Sequence, residues 1–116
     1  LSMDGRRSVV ITGVSLRPGT TGAACFDRDT GGIHFAMAHQ EPAHFSGTGD
    51  LFASVLLGAL LRGEPLAAAA QRAASFVQHC AAYTLALGTP VLEGVQFEPL
   101  LGELMSAPPA MGTDVR

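Results

Sequence analysis

The sequence predicts an α/β protein, specifically the end of an α/β sandwich in which strands and a β-hairpin precede two long helices. Three observations predict it. A nearly continuous β-branched run, Ser8 to Val14, stands near the start. Two short apolar arms then flank a turn-rich centre. Beyond His44 the apolar period changes from two to about 3.6 and stays helical as far as Leu87.

The opening run, "SVVITGV", is almost continuously apolar and closed by glycine. It reads as a strand buried on both faces, the kind found inside a mixed or parallel sheet. "SLRPGTTG" follows as a loop. "AACFD" and "IHFAMAH" flank "RDTGG", which predicts a β-hairpin. In its second arm Ile33, Phe35 and Met37 share one face, and His34, Ala36 and Ala38 the other.

After Asp50 the residues Leu51, Phe52, Val55, Leu56, Ala59 and Leu60 follow helical spacing, while Leu57 and Leu61 fill the remaining arc. A helix so apolar around its circumference is expected to be buried. Gly63 ends it and Pro65 starts the next, the usual asymmetry of helix punctuation. The second helix, Pro65 to about Leu87, carries Leu66, Ala69, Ala73, Phe76, Cys80 and Tyr83 near one face and is stopped by "GTP" at 88–90. "GVQFEPLLGELM" is expected to give a short strand and a helical turn or two. From Ser106 onward "SAPPAMGTDVR" reads as a flexible tail, leaving residues 1–105 as the folded unit. No internal repeat is present.

Composition narrows the function classes. At 116 residues the chain is 47% hydrophobic and 15% charged, more apolar than a self-contained domain of this size requires. Apolar faces covered by a second subunit, or by the rest of a longer protein, are therefore expected. Leu1-Ser2-Met3-Asp4 has neither an initiator at position 1 nor a basic-then-apolar leader, and reads as an internal start. A net charge of -3, with Arg6-Arg7 the only basic pair, argues against nucleic acid as partner. Cys25 and Cys80 fit neither a zinc site nor a disulfide framework and read as small core residues. The longest stretch without Asp, Glu, Lys or Arg, Ala73 to Leu92, contains Gln78, His79, Gly88 and Pro90, too polar to cross a bilayer. A soluble, cytoplasmic protein is expected. His34, His39, His44 and His79 show no metal-ligand spacing, and Glu41 and Glu64 read as loop carboxylates.

The stretch that carries chemistry is "HFSGTGDLFASVLLGALL", His44 to Leu61. "GTGD" stands at the mouth of the first helix. Glycines there let a ligand approach the backbone closely. The first amides of the helix point outward and its dipole favours negative charge, so a phosphate or a phosphoryl group in transfer suits the position. Asp50, ionised in that field, could take the proton of a hydroxyl attacking a terminal phosphate, while the amides stabilise the charge that builds up. An aspartate in a first helical turn can equally be a plain dipole contact, worth about 0.3–1 kcal/mol. The pattern is not a Walker motif, since no "GK[ST]" follows.

"GTGDLFASVLLGALL" resembles the C-terminal signature of the ribokinase-like (PfkB) kinases, and "GTGDLF" is most similar to the form found in pyridoxal kinases. "VVITGVSL", Val9 to Leu16, is similar to their strand-and-loop that usually reads "VVITS". The hairpin between these motifs and the long helix after them keep the same order, so the resemblance covers about residues 8 to 105. It implies the C-terminal, nucleotide-binding part of a ribokinase-like α/β sandwich. The implied activity is ATP-dependent phosphorylation of the 5′-hydroxymethyl group of pyridoxal, pyridoxine or pyridoxamine, a step of vitamin B6 salvage. Asp50 then matches the catalytic base, and Gly47, Thr48 and Gly49 the anion hole. Thr12 matches a residue whose hydroxyl contacts nucleotide phosphate, and Gly13 stands where serine is common. Phe45 and Ser46 match the segment along the nucleotide cleft. ATP and Mg2+ are the implied cofactors, with the magnesium ligands largely outside this chain, and a homodimer is implied for the full-length protein.

The resemblance covers only about the last two-fifths of such a kinase, so the chain is expected to be a fragment with little or no turnover of its own. Two other readings stay open. A kinase for hydroxymethylpyrimidine, a thiamine precursor, belongs to the same superfamily, although "GDLF" favours the pyridoxal side. A non-catalytic half-domain could bind a partner through its apolar face. A sugar kinase fits less well, because its usual form is "GAGD".

Overall fold

Side-chain alternation sets the sheet. The computed structural model describes residues 7–40, 45, 47–88 and 94–105, together with the backbone of 113–115. Three strands, β1 (Val9–Val14), β2 (Thr20–Asp27) and β3 (Gly32–His39), form an antiparallel meander, and a short strand β4 (Thr113–Val115) adds to β3. The predicted hairpin is β2–β3, with Ala23 opposite Ala36 and Cys25 opposite His34. Its turn is held by Asp27, whose carbonyl accepts the Gly31 N–H at 2.7 Å and whose Oδ1 accepts the Asp29 N–H at 2.9 Å.

Two helices follow, α1 (Thr48–Leu61) and α2 (Leu66–Leu87). They stack in order on the sheet: α2 packs against β2 and β3, and α1 packs on α2. This inverts one expectation. The leucine-rich α1 is not enclosed all round; among its residues only Phe52, Val55 and Ala59 are buried, and Leu61 is 79% exposed. The alanine-rich α2 is the inner helix, buried at Leu66 through Ala70 and at Ala73, Ala74, Phe76, Cys80 and Ala81. Small side chains allow backbones to approach from two sides, so alanine suits a central layer better than leucine does. Facing α2, the sheet offers equally small residues, Ala23, Cys25 and Ala36, all essentially inaccessible.

β1 departs from expectation too. It is a strand, but among the described residues it pairs only with β2 and leaves Ile11 48% exposed. β-branched composition reports a preference for extended backbone, not the number of neighbours a strand has. Helix punctuation is as predicted. Glu64 N–H bonds the Ala59 carbonyl and Gly63 N–H the Leu60 carbonyl, with Gly63 at φ 90, a Schellman closure of α1. Gly88, at φ 72, caps α2.

After α2, residues 94–97 are not the strand expected; Val95 and Phe97 pack on the core instead, and a 3-10 helix spans Glu98–Met105. β4 lies inside the segment read as a flexible tail, and its three residues extend the sheet beside β3. Among the described residues, no helix is long and apolar enough to cross a membrane.

Candidate functional site

The tip of α1 is built by glycine. Gly47 is its N-cap at φ 88, in the left-handed region, and no side chain caps the helix. Leu51 N–H donates to the Gly47 carbonyl at 2.9 Å. The amides of the preceding turn, at Thr48, Gly49 and Asp50, are those that an α-helix leaves without intrahelical carbonyls when nothing precedes it. A Cβ placed on Gly47 or on Gly49 would meet nothing within 4 Å, so both face open space. Packing does not demand the second glycine; it keeps the approach to the helix mouth clear.

Asp50 is exposed on the first turn and makes no side-chain hydrogen bond or ion pair with a described residue. Its backbone carbonyl accepts the Ser54 hydroxyl at 2.9 Å, which fixes that turn without engaging the carboxylate. Its charge is thus not committed to holding the fold.

Two cavities meet α1 near this tip. The larger, about 730 Å³, is lined by Gly47 and Asp50 at its mouth, then by Val55, Ala59, Phe97 and Leu104. The smaller, about 310 Å³, is lined by Thr12, Gly13, Phe45, Thr48 and Gly49 and runs along Phe52 to α2. Seven of the eight residues singled out in the sequence therefore line one of these cavities. Asp50 and Gly47 face one side of the tip; Thr48, Gly49, Thr12, Gly13 and Phe45 face the other. Ser46 lies outside the described residues, as do His44 and Glu41.

Thr12 and Gly13 come to this place through a kink in β1. The register with β2 shifts between Thr12 and Val14, and Gly13 sits at φ 75. The backbone there takes a conformation that favours glycine, which accounts physically for a glycine where the resemblance leads one to expect serine.

Sequence reasoning missed what closes the far end of the larger cavity. Glu64, read as a loop carboxylate, has a side chain only 7% exposed. It takes Arg72 Nε on one oxygen at 3.0 Å and Arg62 on the other at 2.8 Å. Arg62 also donates to the Leu104 carbonyl at 3.0 Å, tying the 3-10 helix to the cluster. Burial alone would raise the Glu64 carboxyl, but the hydrogen bonds and charges of Arg72 and Arg62 outweigh it and hold it below its ordinary value. The available signal was an arginine in the middle of an alanine-rich helix, which cannot be buried without a partner.

The comparisons with known proteins converge on one group. Residues 1–94 match the family model described as phosphomethylpyrimidine kinase. A crystal structure of a protein described as a phosphomethylpyrimidine kinase from Bacteroides thetaiotaomicron is 30% identical, with a TM-score of 0.82 over 93% of this chain and 37% of that one. A second crystal form of it, with pyridoxal, gives a TM-score of 0.80 at 30% identity over 93% and 38%. Pyridoxal kinase from Lactobacillus plantarum is 35% identical, with a TM-score of 0.76 over 85% of this chain and 35% of that one. The chain thus spans between 35% and 38% of the length of these structures. A comparison with the curated proteins finds no match.

Proposed function

Because the chain belongs to the phosphomethylpyrimidine kinase family, among the ribokinase-like kinases, we propose that it is the nucleotide-binding part of an ATP-dependent kinase whose acceptor is the 5′-hydroxymethyl group of pyridoxal, pyridoxine or pyridoxamine. In this reading residues 1–105 form that part, Asp50 is the general base, and Gly47, Thr48 and Gly49 form the anion hole. Thr12, Gly13, Phe45 and Ser46 contact the nucleotide. One observation carries the proposal: the α1 tip stands between two cavities, with the carboxylate on one side and the proposed nucleotide contacts on the other.

That separation suits in-line transfer. The nucleotide enters from the smaller cavity and lays its terminal phosphate against the open amides of the tip. The acceptor hydroxyl approaches from the Asp50 side. Its proton passes to the Asp50 carboxylate as its oxygen bonds to the γ-phosphorus, and the bond from that phosphorus to the β–γ bridging oxygen breaks, releasing ADP. The amides neutralise charge on the transferring group without reorganising, as preorganised donors do. Magnesium is held mainly by nucleotide oxygens and water with one or two carboxylates, and in this reading those carboxylates lie largely outside this chain. When bound, the ion supplies neutralising charge on the phosphates.

The second reading is hydroxymethylpyrimidine as acceptor, which the description of the matching family favours. The pyridoxal held by the second Bacteroides crystal form and the kinase name of the Lactobacillus relative favour the first. Competition among pyridoxal, hydroxymethylpyrimidine and ribose for the full-length enzyme separates them. Dimerisation of that enzyme belongs to the same proposal, as does the expectation that these 116 residues alone turn over little.

The decisive test is Asp50→Asn in the full-length enzyme. The proposal expects kcat to fall about 100-fold or more with nucleotide affinity nearly unchanged. Equal loss of nucleotide binding would make Asp50 structural. Failure of magnesium nucleotide to protect the amides at Gly47–Asp50 from exchange would favour a non-catalytic half-domain.

A further inference from the structure

Among the polar groups that line the smaller cavity, Gln78 is one that neither the fold nor the proposed chemistry uses. Gln78, on α2, lines it together with Val77, Ala81 and Phe52. Gln71 stands one heptad earlier on the same face of α2, and both N–H groups of its amide are occupied structurally. It donates to the Met37 carbonyl at 3.1 Å and to the Ser75 hydroxyl at 3.1 Å. Gln78 has no such employment, since its side chain makes no hydrogen bond or ion pair with a described residue. An amide half-withdrawn from water beside aromatic and aliphatic walls is best satisfied by a ligand edge that offers a donor next to an acceptor.

We infer that Gln78 reads the base of the nucleotide, and that it does so by hydrogen-bonding the Watson–Crick edge of a purine. The inference rests on the nucleotide reading given above. The cavity runs from Thr48 and Gly49 at the helix tip past Phe52, one turn further along α1, to α2. Phosphates at the tip therefore place the base toward α2. Phe45 and Phe52, both buried, and Val77 and Ala81 supply flat apolar surface for a ring. At about 310 Å³ the space lies at the small end of ligand cavities. That is room for a nucleoside, with the phosphates reaching out to the tip.

The chemistry makes the inference specific. Adenine presents an amino donor beside the N1 acceptor, and guanine presents a carbonyl acceptor beside the N1–H donor. A carboxamide meets either by turning over, so Gln78 accepts both purines. A carboxylate at the same place offers only acceptors. It would bond the N1–H and amino group of guanine and repel the N1 of adenine.

The test uses calorimetric titration of the full-length enzyme, with magnesium, against ATP, GTP and inorganic tripolyphosphate as a base-free probe. The wild type should bind ATP and GTP within a few-fold of each other. Gln78→Glu should shift the ATP-to-GTP preference toward GTP by about tenfold or more, and Gln78→Leu should weaken both by about tenfold. Tripolyphosphate should bind all three chains alike, and circular dichroism checks that each variant keeps its helices. If ATP binds and the two variants leave the ATP-to-GTP ratio and affinity unmoved, the role of Gln78 is overturned while the nucleotide reading stands. If neither nucleotide nor tripolyphosphate binds the wild type, the nucleotide reading fails and the role of Gln78 fails with it.

Discussion

Arg72 Nε lies 3.0 Å from Glu64 Oε1, and both side chains are more than nine-tenths buried. The pair joins the loop between the helices to the inner helix and closes the far end of the larger cavity. Removing one member of a buried pair takes away most of the compensation of the other charge, so Glu64→Gln should cost about 3 kcal/mol of stability. The pH dependence follows from the lowered Glu64 carboxyl. Its stabilisation is complete above the ordinary value of 4.5 and is lost as pH falls below 4.5 toward the lower folded-state value. Urea melts of both chains between pH 7 and pH 3 check this. The wild-type curve should drop below pH 4.5, and the Glu64→Gln curve should drop less. Parallel curves would remove Glu64 from the account.

Gly13 tests whether the kink in β1 is a backbone requirement. It sits at φ 75, and a Cβ there would meet nothing within 4 Å. Steric crowding is therefore absent and conformational strain remains. Gly13→Ser and Gly13→Ala should both lose about 1 kcal/mol, because the hydroxyl brings nothing the backbone needs. Thermal melts of the two variants are the check. A serine variant as stable as wild type would mean that the glycine has no conformational purpose.

How much of this was legible in the sequence depends on what each residue reports. Local signals were faithful. The hairpin around "RDTGG", the end of α1 at Gly63 and the end of α2 at Gly88 were all readable, because turns and caps are decided within a few residues. Layer order was not. Leu57 and Leu61 suggested an enclosed α1, yet the layer order depends on how closely backbones can approach, and the alanines of α2 decide that. The candidate site was legible where it is contiguous, at Gly47 to Asp50. Gln78 and the Arg62–Glu64–Arg72 cluster were hidden, because they acquire meaning only when α2 is laid against the sheet and α1.

The two thiols give a third prediction. Burial, with Asp27 adding to it, pushes the Cys25 thiol up to about 11. Burial followed by Glu103 and Glu98 pushes Cys80 up to about 12. Thiolate is the reactive form, so a disulfide reagent at pH 8 should modify neither cysteine in the folded chain and both once denaturant unfolds it. The same shifts imply stability that is complete below the ordinary thiol value of 9.0 and is lost as pH rises from there through about 11. Prompt reaction of either thiol in the native chain would contradict its burial.

Thr84 offers the last prediction. Its side chain is wholly buried, its hydroxyl donates to the Cys80 carbonyl at 2.7 Å, and its oxygen accepts the Gln96 N–H at 2.8 Å. This single hydroxyl ties the segment after α2 to the helix, and so positions Val95 and Phe97 as a wall of the larger cavity. Thr84→Val keeps the shape and removes the acceptor. The Cys80 carbonyl loses a second partner only, whereas the Gln96 N–H loses its partner outright, which should cost about 1–3 kcal/mol. Thr84→Ser should recover most of that, apart from the small loss of a methyl group. Hydrogen exchange at the Gln96 amide is the local readout: it should quicken in the valine variant and stay slow in the serine variant. If both variants exchange at the wild-type rate, the wall is held by apolar packing of Val95 and Phe97 rather than by this hydroxyl.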